Sequence, residues 1–361
     1  MEHLIPQEWF TGLHWSLLLV IGAGAIFFLI RGADWLVEGA SGIALRLGIS
    51  KIIVGATIVS LGTTSPEAAV SVMAAIGGDA GLALGNAVGS VIADTGLIFG
   101  VGCLLMALPV DRFVLNRQGW VKCGSALLLA ACCYGVWIYP NGANTLGRWV
   151  GVGFLAILGW YLWASVQWGR EHTRRERERI LKNSDADTLE EVEILEKAEH
   201  DPWSVLIPLF FGGLGLVILF GRVLIACVQE GAIQAGVPKV VIAGTVVAMG
   251  TSLPELMVGI SAIRKGHAAL LIGNVVGADV LNILFVIGAS ATATPLHLMN
   301  PDAQIEHIFL LLHLPSMLAI LLVFQIFILL SLRKGRFSRW HGIPLLGLYV
   351  AYLLLNLLLA K

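Results

Sequence analysis

The sequence predicts an all-α polytopic membrane protein, with about ten transmembrane helices laid out as two inverted five-helix repeats. Three observations predict it. Of 361 residues, 57% are apolar and 13% charged, where a soluble domain carries about 25% charged. Apolar windows of spanning length, about 20 residues each, recur from end to end. Residues 51–100 align without a gap on residues 239–288, which marks an internal duplication.

In chain order, the candidate helices cover 14–44, 52–76, 82–108, 120–139 and 147–168, then 204–228, 239–263, 268–292, 306–331 and 341–360. Helices are the economical choice because backbone groups in lipid have to bond internally. This gives a first half at 1–168 with repeat one at 51–100, a hydrophilic connector at 169–202, and a second half at 203–361 with repeat two at 239–288. Residues 1–14 hold Glu2 and Glu8 and no Lys or Arg. They lack the cationic start of a cleaved signal, so the first helix is expected to be retained.

The net charge of −1 gives no basis for a nucleic-acid partner. The distribution of charge is more informative. With the first terminus outside, the inner loops hold Arg46, Lys51, Arg112, Arg117, Lys122, the run from Arg170 to Lys197, Arg264, Lys265, Arg333, Lys334, Arg336 and Arg339. The outer side keeps Arg148, Lys239 and Lys361. The positive-inside rule therefore predicts both termini outside and the connector in the cytosol. The connector is basic first and acidic afterwards, as a solvated segment between halves. Cys103, Cys123, Cys132, Cys133 and Cys227 lie in apolar stretches without C-x-x-C spacing, and read as small buried hydrophobes.

Identities between the repeats include Thr57, Gly62, Thr63, Pro66, Glu67, Gly85, Asn86, Val88 and Gly89, each matched 188 residues later. Glycine, proline, threonine and glutamate predominate, rather than interchangeable Leu and Val. Five helices separate the starts of the copies, an odd number, so the second enters the membrane from the opposite side. Glycines alone would fit a duplication kept for close helix packing; paired Glu and Thr at membrane depth point instead to an ion pathway.

Each copy gathers oxygen. Gly62-Thr63-Thr64-Ser65-Pro66-Glu67 interrupts one apolar helix and Gly250-Thr251-Ser252-Leu253-Pro254-Glu255 another. A proline has no N–H for the carbonyl four residues back, which frees those of Gly62 and Gly250. Thr63 and Thr64 stand one turn before Glu67 on its face. In the following helices, Asn86, Ser90 and Asp94 share one ridge, and Asn274, Ala278 and Asn282 the other. Oxygen-only sets suit hard cations such as Ca²⁺ and Na⁺. Burying Glu67, Glu255, Asp94 and Asp279 costs about 2.5 to 3.5 kcal/mol each on insertion scales, so a bound cation is expected to offset it.

These segments resemble the α-repeats of the sodium/calcium exchangers, a bacterial-type branch of the cation/calcium exchanger superfamily, whose pattern reads G-T-S-x-P-E followed by G-N-x-x-G-S-N. The resemblance spans both copies and the ten-helix layout. It implies a secondary-active antiporter, not an enzyme, that exchanges Ca²⁺ for Na⁺ across a bacterial inner membrane by alternating access. Carried over by position, Glu67 and Glu255 resemble the family's central calcium-binding acids. Thr63, Thr64, Thr251 and Ser252 supply neighbouring oxygens, and Ser90, Asp94 and Asn282 resemble the ligands of the next helices. Two departures stand out: the second-copy serine is Ala278, and the asparagine of G-S-N is Val91 in one copy and Asp279 in the other.

One hydroxyl lost and one acid gained change the charge available for sodium. Four carboxylates in one low-dielectric site cannot all stay ionised without cations, so Asp279 or Asp94 is expected to exchange a proton. A proton-coupled divalent-cation antiporter on the same scaffold is the near rival, and a passive cation channel the rival of another class. No nucleophile and base pair stands at suitable spacing for an intramembrane hydrolase. No cofactor is expected; the partners are the ions and the bilayer. Arg31, Asp34 and Glu38 recur at helical spacing in the first helix, where an intrahelical ion pair is the default, with a gating contact as the alternative.

Overall fold

The computed structural model describes residues 7–138, 144–183, 201–235, 252–298 and 308–359. In the first half, α1 is Trp15–Leu47, α2 covers 51–76, α3 is Ala80–Leu105, α4 is Arg112–Ile138 and α5 is Arg148–Asn183. In the second, α6 is Trp203–Gln234, α7 Leu253–Arg264, α8 Ala268–Ala293, α9 Phe309–Lys334 and α10 Gly342–Leu359. Among the described residues eight helices are long and apolar enough to cross a membrane. The two outside that set, α2 and α7, carry the repeat-matched Pro66 and Pro254. The first part of repeat two lies outside the described residues.

Burial sorts the helices into core and periphery. Buried residues make up 94% of the apolar span of α8 and 72% of that of α3, against 44% or less for the other spanning helices. A helix apolar on every side and buried on every side is a core element, and here the core is the repeated sequence. Two glycines let it close. A Cβ at Gly273 would stand 2.1 Å from the Ile52 carbonyl oxygen, and one at Gly277 would stand 2.3 Å from that of Ala56. Backbone therefore meets backbone where α2 crosses α8. Peripheral α1 and α6 approach as closely, a Cβ at Gly213 falling 2.4 Å from the Leu36 nitrogen.

Loop contacts fix the sidedness. The strands Thr145–Leu146 and Leu296–His297 pair antiparallel and tie the loop after α4 to the loop after α8. Opposite, Pro109 bridges Arg336, and Val110 N–H donates to the Gly335 carbonyl at 3.0 Å. On that second side Lys51 Nζ lies 2.9 Å from His267 Nδ1, and Arg112 donates to the Arg333 carbonyl. Basic loop residues from both halves, among them Lys51, Arg112, Arg333 and Arg336, thus gather on one face.

Four expectations are corrected. Pro66 does not interrupt its helix: Ser60–Ile76 is continuous through it, and the irregularity lies upstream in a π-helical turn at Gly55–Val59. A proline removes one helical N–H, and here the rod continues past that one missing bond. Lys122 is not a loop residue; it lies ten positions into α4, fully buried. The connector begins as helix, since α5 runs on to Asn183, and residues 184–200 lie outside the described residues. Asp34 and Glu38 pair with another helix: Ser261 Oγ donates to Asp34 at 2.5 Å, and Lys265 pairs with Glu38, while Arg31 stacks on Phe27.

Candidate ion-binding site

Glu67 sits on α2 one residue after Pro66 and is 2% exposed; Glu255, its repeat equivalent on α7, is also 2% exposed. Pro254 stands in the first turn of α7, where a proline's missing N–H costs nothing. Both carboxylate oxygens of Glu67, and Oε2 of Glu255, are buried without a hydrogen-bond partner. The two acids lie within electrostatic reach of each other, and Asp94 of both.

The surrounding oxygens come from the predicted residues. The Thr63 hydroxyl is shared between the Ser60 carbonyl at 3.4 Å and Asn274 Oδ1 at 3.5 Å. The hydroxyls of Thr64, Ser90 and Ser252, Oδ1 of Asp94 and Oδ1 of Asn282 are buried and unpartnered. Buried polar atoms in folded proteins are nearly always paired, so such a concentration calls for a cause. Gly250 and Thr251 lie outside the described residues, and the Gly62 carbonyl is the one that Pro66 leaves without its helical donor.

The repeat extends to backbone irregularities. π-Helical turns begin at Asp94 and at Asn282, covering Asp94–Phe99 and Asn282–Ile287, 188 residues apart. Such bulges re-aim side chains within a helix. Here they bring the equivalents together: Asn282 Nδ2 donates to Asp94 Oδ2 at 3.4 Å.

Asp279 departs from the predicted arrangement. Its Oδ2 lies 3.2 Å from Lys122 Nζ, with both side chains at 0% exposure, and accepts from the Thr95 hydroxyl at 2.5 Å. Four carboxylates do not share one site as the sequence suggests. Among the described residues no three acidic, His or Cys side chains converge tightly enough to chelate a metal unaided. A calcium ion wants six to eight oxygens, so any site here mixes carboxylate with hydroxyl, amide and carbonyl oxygen.

Comparison with known proteins decides the family. The profile of the family described as sodium/calcium exchanger protein matches residues 17–167 and 205–358. The sodium/calcium exchanger MaX1 of Methanosarcina acetivorans is 30% identical over 354 residues, covering 93% of this chain and 97% of its own. The chain belongs to the sodium/calcium exchanger family. The inner membrane protein YrbG of Escherichia coli K12 is 30% identical over 282 residues, 77% of this chain and 79% of its own. In structure, the sodium-calcium exchanger NCX_Mj, from a crystal soaked with 2.5 mM Na⁺ and 0.1 mM Ca²⁺, superposes with a TM-score of 0.71 at 24% identity, covering 93% of this chain and 97% of that one.

Five residues outside the expected ligand set shape the site of this exchanger-family chain. Asn86 donates to the Glu67 carbonyl at 3.4 Å and to Ser71 Oγ at 3.0 Å, bracing the glutamate's helix. Asn274 braces Thr63. Both asparagines repeat at the 188 offset, which was the available signal. Thr95 and Lys122 carry none, being unmatched in the other copy. Arg222 on α6 lies within electrostatic reach of Glu67.

Proposed function

We propose that this chain is a secondary-active antiporter, not an enzyme, that moves Ca²⁺ against Na⁺ by alternating access. Glu67 and Glu255 serve as the central ligands, joined by oxygens of Thr63, Thr64, Thr251, Ser252, Ser90, Asp94 and Asn282 and by the carbonyls of Gly62 and Gly250. The observation that carries the reading is the two repeat-related glutamates, buried at membrane depth with oxygens that no protein donor satisfies. Two carboxylates match the charge of one calcium ion, or of two sodium ions in its place. An empty charged site resists reorientation and a neutralised one moves, which couples the ions.

The gate in this reading is the α1 and α6 pair, whose glycine-mediated contact makes it one body. The contacts of Asp34 with Ser261 and Glu38 with Lys265 hold that body to the core on the basic face. That face would be cytosolic and both termini external, by the positive-inside rule.

The rival reading is proton coupling, favoured by the serine lost at Ala278 and by the added acid Asp279; sodium coupling is preferred because that acid already has Lys122 at 3.2 Å. The test is calcium flux in proteoliposomes under an imposed sodium or proton gradient, run beside Glu67→Gln and Glu255→Gln. Sodium-driven flux lost in both variants is the expected result. Normal exchange in both variants would sink the site, and sodium-independent flux would select the proton-coupled rival.

A further inference from the structure

Lys122 projects from α4, outside the repeated core, to the acid by which repeat two departs from its pattern. The ammonium is fully buried, 3.2 Å from Asp279 Oδ2. The Phe324 ring lies 3.4 Å away from Nζ to centroid. Such a face attracts a cation in a dehydrated place. Thr95, next to Asp94, gives its hydroxyl to the same Asp279 oxygen at 2.5 Å. Asp279 Oδ1 remains buried without a partner. Lys122 lies within electrostatic reach of Asp94, which in turn faces Glu255 and Asp279.

A lone structural ion pair at this depth gains little over an apolar pair of the same size. A charge beside the ion site acts differently, because every transported cation feels it across a low-dielectric gap. The Lys122 ammonium cancels the charge that Asp279 would otherwise place beside the ion ligands, so the cations taken from solution have one negative charge fewer to balance.

We propose that the Lys122 ammonium is a tethered cation of the transport site, holding against Asp279 and Thr95 the place of one monovalent cation and so setting how many ions the site takes from solution. The proposal rests on the antiport reading above and adds the count of charges carried. Without the ammonium, Asp279 recruits a mobile cation; without the carboxylate, the ammonium repels the calcium bound nearby.

The experiment compares the wild-type chain with Lys122→Met, Asp279→Asn and the double variant. Sodium and calcium binding are measured on detergent-purified protein, and flux with its reversal potential in proteoliposomes. Lys122→Met should bind one additional sodium ion, with its reversal potential shifted to match. Asp279→Asn should lose about tenfold or more in calcium affinity. The double variant, with neither charge, should return to wild-type stoichiometry. Wild-type ion counts in Lys122→Met, or unchanged calcium affinity in Asp279→Asn, overturn the proposal. Should Lys122→Met fail to fold, the other two variants decide alone: both must behave as stated. Wild-type protein that binds the ions yet exchanges none would sink the antiport reading, while the binding counts still judge Lys122.

Discussion

Asp94 and Asn282 are the same position of the two repeats, and the Asn282 amide donates directly to the Asp94 carboxylate at 3.4 Å. The pair marks where the pseudo-twofold relating the halves passes through the site, with a charge on one side and its neutral isostere on the other.

Moving the charge across that axis tests the symmetry. Asp94→Asn removes an acid that faces Glu67 and Glu255, and calcium flux should fall about tenfold or more. Asp94→Asn combined with Asn282→Asp restores one acid at the mirrored position, and flux should recover most of the loss. A double variant no better than the single would show that the halves are not interchangeable there.

Glu67→Gln should separate binding from folding. Its two buried oxygens have no donor, so removing the charge should raise the melting temperature of the calcium-free protein by a few degrees. Calcium at a hundred times its Kd stabilises a binding-competent chain by about 2.7 kcal/mol. That gain should vanish in the variant, as a calcium titration of thermal melts would reveal.

Gly277→Ala should damage the core without touching an ion ligand. The added methyl would meet the Ala56 carbonyl oxygen at 2.3 Å, and backbone cannot swing aside as a side chain can. Overpacking of this kind costs about 1 to 3 kcal/mol. Lower melting temperature and reduced yield are expected, while Gly153→Ala, in open space on α5, serves as the matched control.

Asp111 makes an acid-sensitive joint ahead of α4. It accepts from the Phe113 and Val114 N–H groups at 2.9 and 3.0 Å and pairs with His172 at 2.8 Å. Burial alone would raise its carboxyl, but the His172 and backbone hydrogen bonds outweigh it and hold the group below the usual carboxylate range. A depressed folded pKa stabilises above the unfolded value and is lost as pH falls through the folded one. Asp111→Asn keeps the acceptor oxygen but loses the charge beside His172 and the start of α4, so it should cost up to about 1 kcal/mol at neutral pH and nothing at strongly acid pH, measured as the difference in melting temperature across a pH series.

The repeat was legible because its identities are residues whose type is dictated by geometry or charge. Gly273 and Gly277 face backbone, Pro66 and Pro254 lack a donor, and Glu67 and Glu255 are too costly in lipid to persist without use. Lys122 was not legible. A lysine close to the predicted start of an apolar stretch reads as a flanking charge, and its partner Asp279 lies 157 positions further on. The π-helical turns were equally hidden, since Asp94–Phe99 and Asn282–Ile287 share no residue type at matched positions. Asp34 and Glu38 misled for another reason. Helical spacing to Arg31 offered a local partner, and the fold supplied Ser261 and Lys265 instead.

The loop ties carry one more consequence. The strand pair on one surface and the Pro109 to Arg336 bridge on the other clamp the scaffold helices top and bottom. The α1 and α6 pair is clamped in the same manner, to itself: Gly12 to Glu230 and Gln234 to Leu13 at one end, Arg46 to Asp201 at the other. Among the described residues these two doubly riveted slabs meet along one seam, and the antiport reading proposed above would place its displacement there, with each slab travelling whole.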